Sequence, residues 1–275
     1  MTDAHCHPRD LLEYQSSAED ERLKLQVPCA ANACTLEQFE YNENLARKSA
    51  REGGPLLLRC FALHPQLSSH FLKNEFPFGE DFSLSSGLEL LRSLASDGRI
   101  DVIGETGFDL YDAEYRAGEK LQDEMFEAHL DIALRYDLPV IMHVRRAMHK
   151  VFPFSLKLKK LPAVIFHNWP GTRGEGEAFL RKGINAFFSF GSAIILNHRQ
   201  AMNCAAFFPP DRLLLETDAP YQPLRGKNYS TWQDLFSICS GMAALRKEAG
   251  SQGNNPEEIE TLTTANFFRA FARPS

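Results

Sequence analysis

Eight short apolar runs recur along this chain, at residues 2–5, 27–31, 57–63, 101–104, 139–143, 163–167, 186–190 and 213–217. Each is the length of a buried strand, and longer stretches with apolar residues at helical spacing lie between them. A chain that alternates in this way has few options. Strand and helix in strict succession build a parallel sheet covered by helices, and eight such units predict an α/β fold closed as a single (β/α)8 TIM-type barrel. Barrels of this kind take about 250 residues, so the 275 residues present predict one domain over 1–275. No linker, repeat or low-complexity tract interrupts the series.

The intervening stretches carry helix signals of their own. Thr35-Leu-Glu-Gln38 is a capping-box pattern, in which hydroxyl and amide side chains satisfy backbone N–H groups left over at a helix start, and Gly53-Gly54-Pro55 ends the same helix. Further helices are expected over 84–96, 117–136, 177–181, 231–248 and 256–271, with a turn over 250–255.

The polar residues at the ends of these runs narrow the chemistry. His5 and His7 close the first run, Glu105 comes directly after the fourth, His143 ends the fifth, His167 ends the sixth and Asp218 comes directly after the eighth. The carboxyl ends of barrel strands converge on one face, so these dispersed groups are expected to become neighbours there. All six are ligands for divalent metals. His5 and His7, two apart on a strand, point to the same side, and Asp3 shares that side and is expected to orient an imidazole. An isolated histidine after an apolar run is ordinarily a hydrogen-bonded core residue. The repeat of Val-Ile-Met-His143 and Val-Ile-Phe-His167 at consecutive strand ends favours ligation instead.

Charge and cysteine usage exclude several classes. A net charge of -6 rules out a protein that coats nucleic acid through a basic face, while leaving room to hold a few phosphates. The charge is uneven, because residues 139–173 contain no Asp or Glu but do contain Arg145, Arg146, Lys150, Lys157, Lys159, Lys160 and Arg173. The plain reading of the clustered lysines is a solvated helix face. Six cysteines without a CxxC pair indicate neither a zinc ribbon nor a disulfide framework. No apolar run is long enough for a membrane span, and the polar motif beside Met1 leaves no room for a cleavable leader, so a cytoplasmic location is expected.

These motifs together resemble the TatD family of metal-dependent deoxyribonucleases within the amidohydrolase superfamily. The resemblance rests on Asp3-Ala-His5-Cys-His7, Ala62-Leu-His64-Pro65, Ile103-Gly-Glu105-Thr-Gly-Phe-Asp109, Gln122, Leu138-Pro-Val-Ile-Met-His143, His167 before Gly171, Glu216-Thr-Asp218-Ala-Pro-Tyr221 and Asn266. It implies two divalent ions per chain, with His5, His7, Glu105 and Asp218 on one and Glu105, His143 and His167 on the other. Zn, Mn, Fe and Mg all suit such mixed ligands to different degrees. Two departures stand in loops of the active face: Val144 and Arg146 flank Arg145, and Asn168-Trp169-Pro170 replaces the family's usual Cys-Phe-Ser.

The function implied is hydrolysis of DNA phosphodiesters by metal-activated water, with Asp218 and Glu105 as catalytic carboxylates and Asp218 accepting the water's proton. His64 and Arg145 are read as phosphate contacts. Trp169 is a candidate platform for a nucleobase, beside the alternative that it packs in the core. Arg146 is expected to pair with a carboxylate on the barrel rim. Two other functions fit the same ligands: hydrolysis of carboxylic esters or amides, such as aminoacyl-tRNA deacylation, and a catalytically silent, metal-stabilised binding protein.

Overall fold

The computed structural model describes residues 1–73 and 82–272. Its strands are β1 (Asp3–Cys6), β2 (Cys29–Ala31), β3 (Leu57–Phe61), β4 (Val102–Asp109), β5 (Val140–Arg145), β6 (Val164–Phe166), β7 (Ala186–Phe190) and β8 (Leu213–Leu215). Each pairs in parallel with the next, in sequence order, to form one eight-stranded sheet. No helix among the described residues is long and apolar enough to cross a membrane.

Strand periodicity divides the apolar residues between two layers. Leu58, Cys60, Val102, Ile141, Ile165, Phe187 and Leu214 form an inner cluster. Leu57, Phe61, Ile103, Val140, Met142, Val164, Phe166, Phe188, Leu213 and Leu215 alternate with them and pack outward against the helices. The C-terminal helix Pro256–Ala270 adds Phe267 and Ala270 to the inner cluster, together with the adjoining Phe271.

The sheet closes at the β8 to β1 seam. The Asp218 amide donates to the His5 carbonyl (2.9 Å) and the His7 amide to the Ala219 carbonyl (2.7 Å). Beneath them the buried Asp3 carboxylate accepts from the Thr217 hydroxyl (2.6 Å), the Thr217 amide (3.0 Å) and the His5 amide (3.2 Å). Burial pushes the Asp3 carboxyl up to about 7. Its partners are backbone and hydroxyl donors, so it locks the seam and does not orient an imidazole as the sequence suggested.

Two local differences from the sequence reading affect the active face. β4 does not stop at Gly104. It continues to Asp109 beside β5, with Gly107 opposite His143 and Asp109 opposite Arg145, and its register slips between Ile103 and Thr106. Such an irregularity re-aims a side chain, here Glu105. Gly107 stands at φ 139, and a Cβ there would lie 2.1 Å from the His143 carbonyl oxygen, so the close approach of these strands admits only glycine. The helix after β6 begins at Arg173, earlier than the apolar pattern alone indicates, because Thr172 and Glu175 form a capping box. The Thr35–Gln38 box and the Gly53 terminus are both present.

Asn266, on the C-terminal helix, donates to the carbonyls of Pro210 and Leu213, each at 2.8 Å, and so anchors that helix to the start of β8. Asn266→Ala leaves two carbonyls without this donor and is expected to cost about 1–3 kcal/mol. Urea denaturation measures this; an unchanged midpoint would show that the helix is held by its apolar face alone.

Candidate metal centre

Two-residue steps along the strands lead from the inner cluster to the upper face. Ile141 gives way to His143, Ile165 to His167, Phe187 to Ser189, and Leu214 to Glu216 and then Asp218. The period that buries apolar residues lower in the barrel therefore delivers polar ones to its mouth. There they border a cleft of about 810 Å³ whose walls include His7, His64, Glu105, His143, His167 and Asp218. His5 lies fully buried.

Glu105 stands between two groups of imidazoles. Its Oε2 lies 3.3 Å from His5 Nε2 and 3.9 Å from His7 Nε2. Its Oε1 lies 2.5 Å from His143 Nδ1, 3.0 Å from His167 Nε2 and 3.6 Å from His64 Nε2. Asp218 joins the first group, with Oδ1 at 3.4 Å from Nε2 of both His5 and His7, and those two nitrogens are 3.1 Å apart. All six sequence-predicted ligands are thus brought together. His64, read from the sequence only as a phosphate contact, also reaches Glu105.

A group of residues behind these side chains fixes their rings. Glu216 Oε1 lies 3.2 Å from His167 Nδ1, and Ser189 donates to the other Glu216 oxygen. Asp109 Oδ2 lies 3.2 Å from His143 Nε2 and accepts from Gln66 at 2.8 Å. The buried Gln122 holds the Asp109 backbone through both its N–H (2.9 Å) and its carbonyl (3.0 Å). The Asn32 amide lies 3.0 Å from His5 Nδ1. Partners of this kind set which ring nitrogen faces the centre. Sequence reading assigned no role to Asn32, Asp109 or Glu216. Each lies at or just beyond the end of a strand, and Asp109 and Glu216 also stand within the motifs quoted above.

Mutual electrostatics dominates the buried charges. Burial and His167 push His5 down, but Glu105 and Asp218 overcome them and raise it to about 9. His143 and His167 are likewise raised by Glu105 against burial, and Glu216 adds to the effect on His167. Burial pushes Glu105 up, yet His167, His5, His64 and His143 hold it well below the usual carboxylate range. Asp218, also opposed by burial, is lowered by His5 and His7. His64 goes the other way, lowered by burial.

Other predicted contacts divide. Arg145 lines the cleft, with its guanidinium 3.6 Å above the Tyr111 ring. Arg146 lies 4.6 Å from the same ring, and among the described residues it has no ion pair, so its partner is an aromatic face and not a rim carboxylate. Trp169 is 2% exposed and packs against Phe166, Phe188 and Phe208 at 5.1, 4.7 and 5.9 Å between centroids. It is a core residue, and the stacking role read from sequence does not hold. Asn168, at φ 40, breaks the strand alternation just before it and turns the indole into the outer aromatic layer. Three cations of the basic island are held in ion pairs: Lys150 with Glu119 and Asp123, Lys157 with Glu127 and Asp131, and Arg173 with Glu177.

The donor set suits a divalent metal. Bonds of about 2.1 Å in tetrahedral geometry place ligand atoms about 3.4 Å apart, and the separations among His5, His7, Glu105 and Asp218 run from 3.1 to 3.9 Å. Convergence of imidazoles on buried carboxylates without other cations is what a positive ion resolves.

This arrangement links metal, protons and stability. A histidine raised to about 9 from 6.5 stabilises the metal-free fold fully below pH 6.5, and that contribution fades as pH rises towards 9. Ligation requires the neutral ring, so bound metal stabilises more as pH rises through the same window. The difference in Tm between metal-loaded and chelated protein is therefore expected to widen from pH 6.5 to 9. A difference that stays constant or narrows in thermal scans would separate these histidines from the metal.

Residues 2–272 match the family model described as TatD related DNase. The chain is 30% identical to an Escherichia coli protein named uncharacterized metal-dependent hydrolase YcfH, over 98% of this chain and 95% of the relative. It is 36% identical to the 3'-5' ssDNA/RNA exonuclease TatD of Pantoea vagans, over 64% of this chain and 67% of that protein. The crystal structure of YjjV, a TatD homologue from Escherichia coli, matches with a TM-score of 0.77 across 100% of this chain and 98% of the other, at 24% identity, and supports the barrel. Full-length agreement of the family model, on a barrel whose mouth gathers the ligands, means that this chain belongs to the TatD-related DNase family.

Proposed function

We propose that this member of a metal-dependent hydrolase family is a two-ion nuclease that hydrolyses phosphodiester bonds in single-stranded DNA. The observation that carries the reading is the division of Glu105 between its two oxygens, Oε2 towards His5 and His7 and Oε1 towards His143 and His167. One carboxylate facing two imidazole groups is the arrangement expected of a bridge, with Asp218 completing the first set. Zn, Mn, Fe or Mg held there would polarise a phosphoryl oxygen and supply hydroxide at neutral pH.

The chain's own residues do the rest. Asp218 directs Oδ1 at the same point as His5 and His7, 3.4 Å from Nε2 of each, and from there its carboxylate can take a proton from the attacking water. Arg145 stands exposed at the cleft wall, where its planar fork suits phosphate oxygens, and His64 offers a nearby donor. Among the described residues Arg145 is the one lysine or arginine lining the cleft, which suits a nuclease that grips a few phosphates and not a whole duplex. Relatives named 3'-5' ssDNA/RNA exonuclease support the single-stranded substrate. All six cysteines are free, in keeping with the cytoplasmic location this reading carries.

Metal-reconstituted protein should carry two ions per chain and cleave single-stranded DNA in preference to duplex DNA, aminoacyl-tRNA and simple carboxylic esters. Asp218→Asn should lower kcat by about 100- to 10,000-fold, with metal content read on the same sample. Turnover confined to carboxylic esters would overturn the phosphodiester assignment.

Arg145→Ala tests the phosphate contact separately. Loss of one such contact to a single strand lowers the log-log salt slope of binding by about 0.7. A slope equal to that of the parent protein would remove Arg145 from the substrate path.

A further inference from the structure

The side chains beside Asp218 form a chain with a direction. Asp218 Oδ1 faces His5 and His7, and its Oδ2 accepts from Gln222 Nε2 at 2.7 Å. Gln222 Oε1 in turn accepts from Asn168 Nδ2 at 2.9 Å. Hydrogen-bond chemistry fixes this polarity. An ionised carboxylate only accepts, so Gln222 must turn its NH2 to Asp218, which leaves its carbonyl to Asn168 and obliges Asn168 to donate. The chain spans the barrel mouth from the loop after β6 to the loop after β8. Its three members all have left-handed backbone, at φ 40 for Asn168, 54 for Asp218 and 58 for Gln222. Such conformations cost energy outside glycine and are kept where surrounding structure holds them.

We propose that Asn168 and Gln222 are positioning residues for hydrolysis, which hold the Asp218 carboxylate in one rotamer with Oδ1 directed at the reacting centre. The inference rests on the reading of Asp218 as the proton acceptor. Without the Gln222 amide, Oδ2 loses its hydrogen bond, and the carboxylate is restrained only through its contacts to His5 and His7. Without Asn168, the Gln222 amide loses the partner that selects which of its ends faces Asp218. Asn168 therefore acts only through Gln222, and that dependence separates positioning from direct contact with substrate.

A double-mutant cycle on the metal-loaded enzyme tests this with single-stranded DNA. Gln222→Leu is expected to lower kcat about 10- to 100-fold, the effect of losing one hydrogen bond to a charged group, with KM changed less than about twofold. Asn168→Ala should lower kcat by roughly three- to tenfold in the parent and have no effect in the Gln222→Leu background. Metal content is measured on every sample, and Gln222→Met, which keeps the side-chain length, repeats the comparison should the leucine variant fold poorly. Unchanged kcat, a loss carried by KM, additive effects of the two substitutions, or loss of metal in both Gln222 variants would each overturn the proposal. Asp218→Asn measured alongside separates the two readings. Normal turnover in that variant removes the proton-acceptor role itself, whereas an inactive Asp218→Asn beside unimpaired Gln222 variants removes the positioning chain alone.

Discussion

The closure of the sheet at β8 and β1 is the constraint on which the active face depends. Asp3 and Thr217 are separated by 214 positions, yet the Asp3 carboxylate takes both the amide and the hydroxyl of Thr217 in a fully buried setting. Without that seam, the strand carrying His5 and His7 would have no fixed relation to the segment carrying Asp218. An open sheet would spread the ligands along an edge. A closed one bends the edge into a ring, so residues from first and last strands face each other across a few ångströms.

Closure brings a cost that the site's chemistry explains. Glu105 and Asp218 are taken out of water and surrounded by imidazoles, an arrangement that apolar packing alone would never favour. The carboxylates raise His5, His143 and His167 against burial, which favours the protonated imidazoles in the metal-free protein. Asp109 and Glu216 lie against the far nitrogens of His143 and His167, so those two rings keep a carboxylate partner whichever ion faces their other nitrogen. Ring partners of this kind would hold the imidazoles in orientation when a metal takes the place of protons.

Outside the cage the acidic chain manages its own cations. Lys150 and Lys157 reach back to carboxylates of the helix Glu119–Tyr136, which neutralises part of the acid-free segment. Arg145 and Arg146 escape this pairing because they rest on the Tyr111 face, where stacking restrains a guanidinium without cancelling its charge. Two guanidinium charges therefore stand near the end of β5, close to His143, where the net charge gives no hint of them.

By itself the sequence determined the eight-unit barrel and the convergence of six candidate ligand side chains on one face. Both rest on local rules: a two-residue period makes strands, and a ligand side chain placed just after an apolar run must emerge at the carboxyl-end face whatever lies elsewhere in the chain. Only the tertiary structure decided who partners whom. Asp3 shares the parity of His5 but finds Thr217, Trp169 stands two positions after His167 but is turned into the aromatic layer by the backbone at Asn168, and Arg146 meets Tyr111 and not a carboxylate. Asn32, Glu216 and Gln222 gain their roles from residues 27, 49 and 4 positions away. Those choices depend on how distant strands are juxtaposed and on single backbone dihedrals at loop positions, and neither quantity is written in a local pattern of polar and apolar residues.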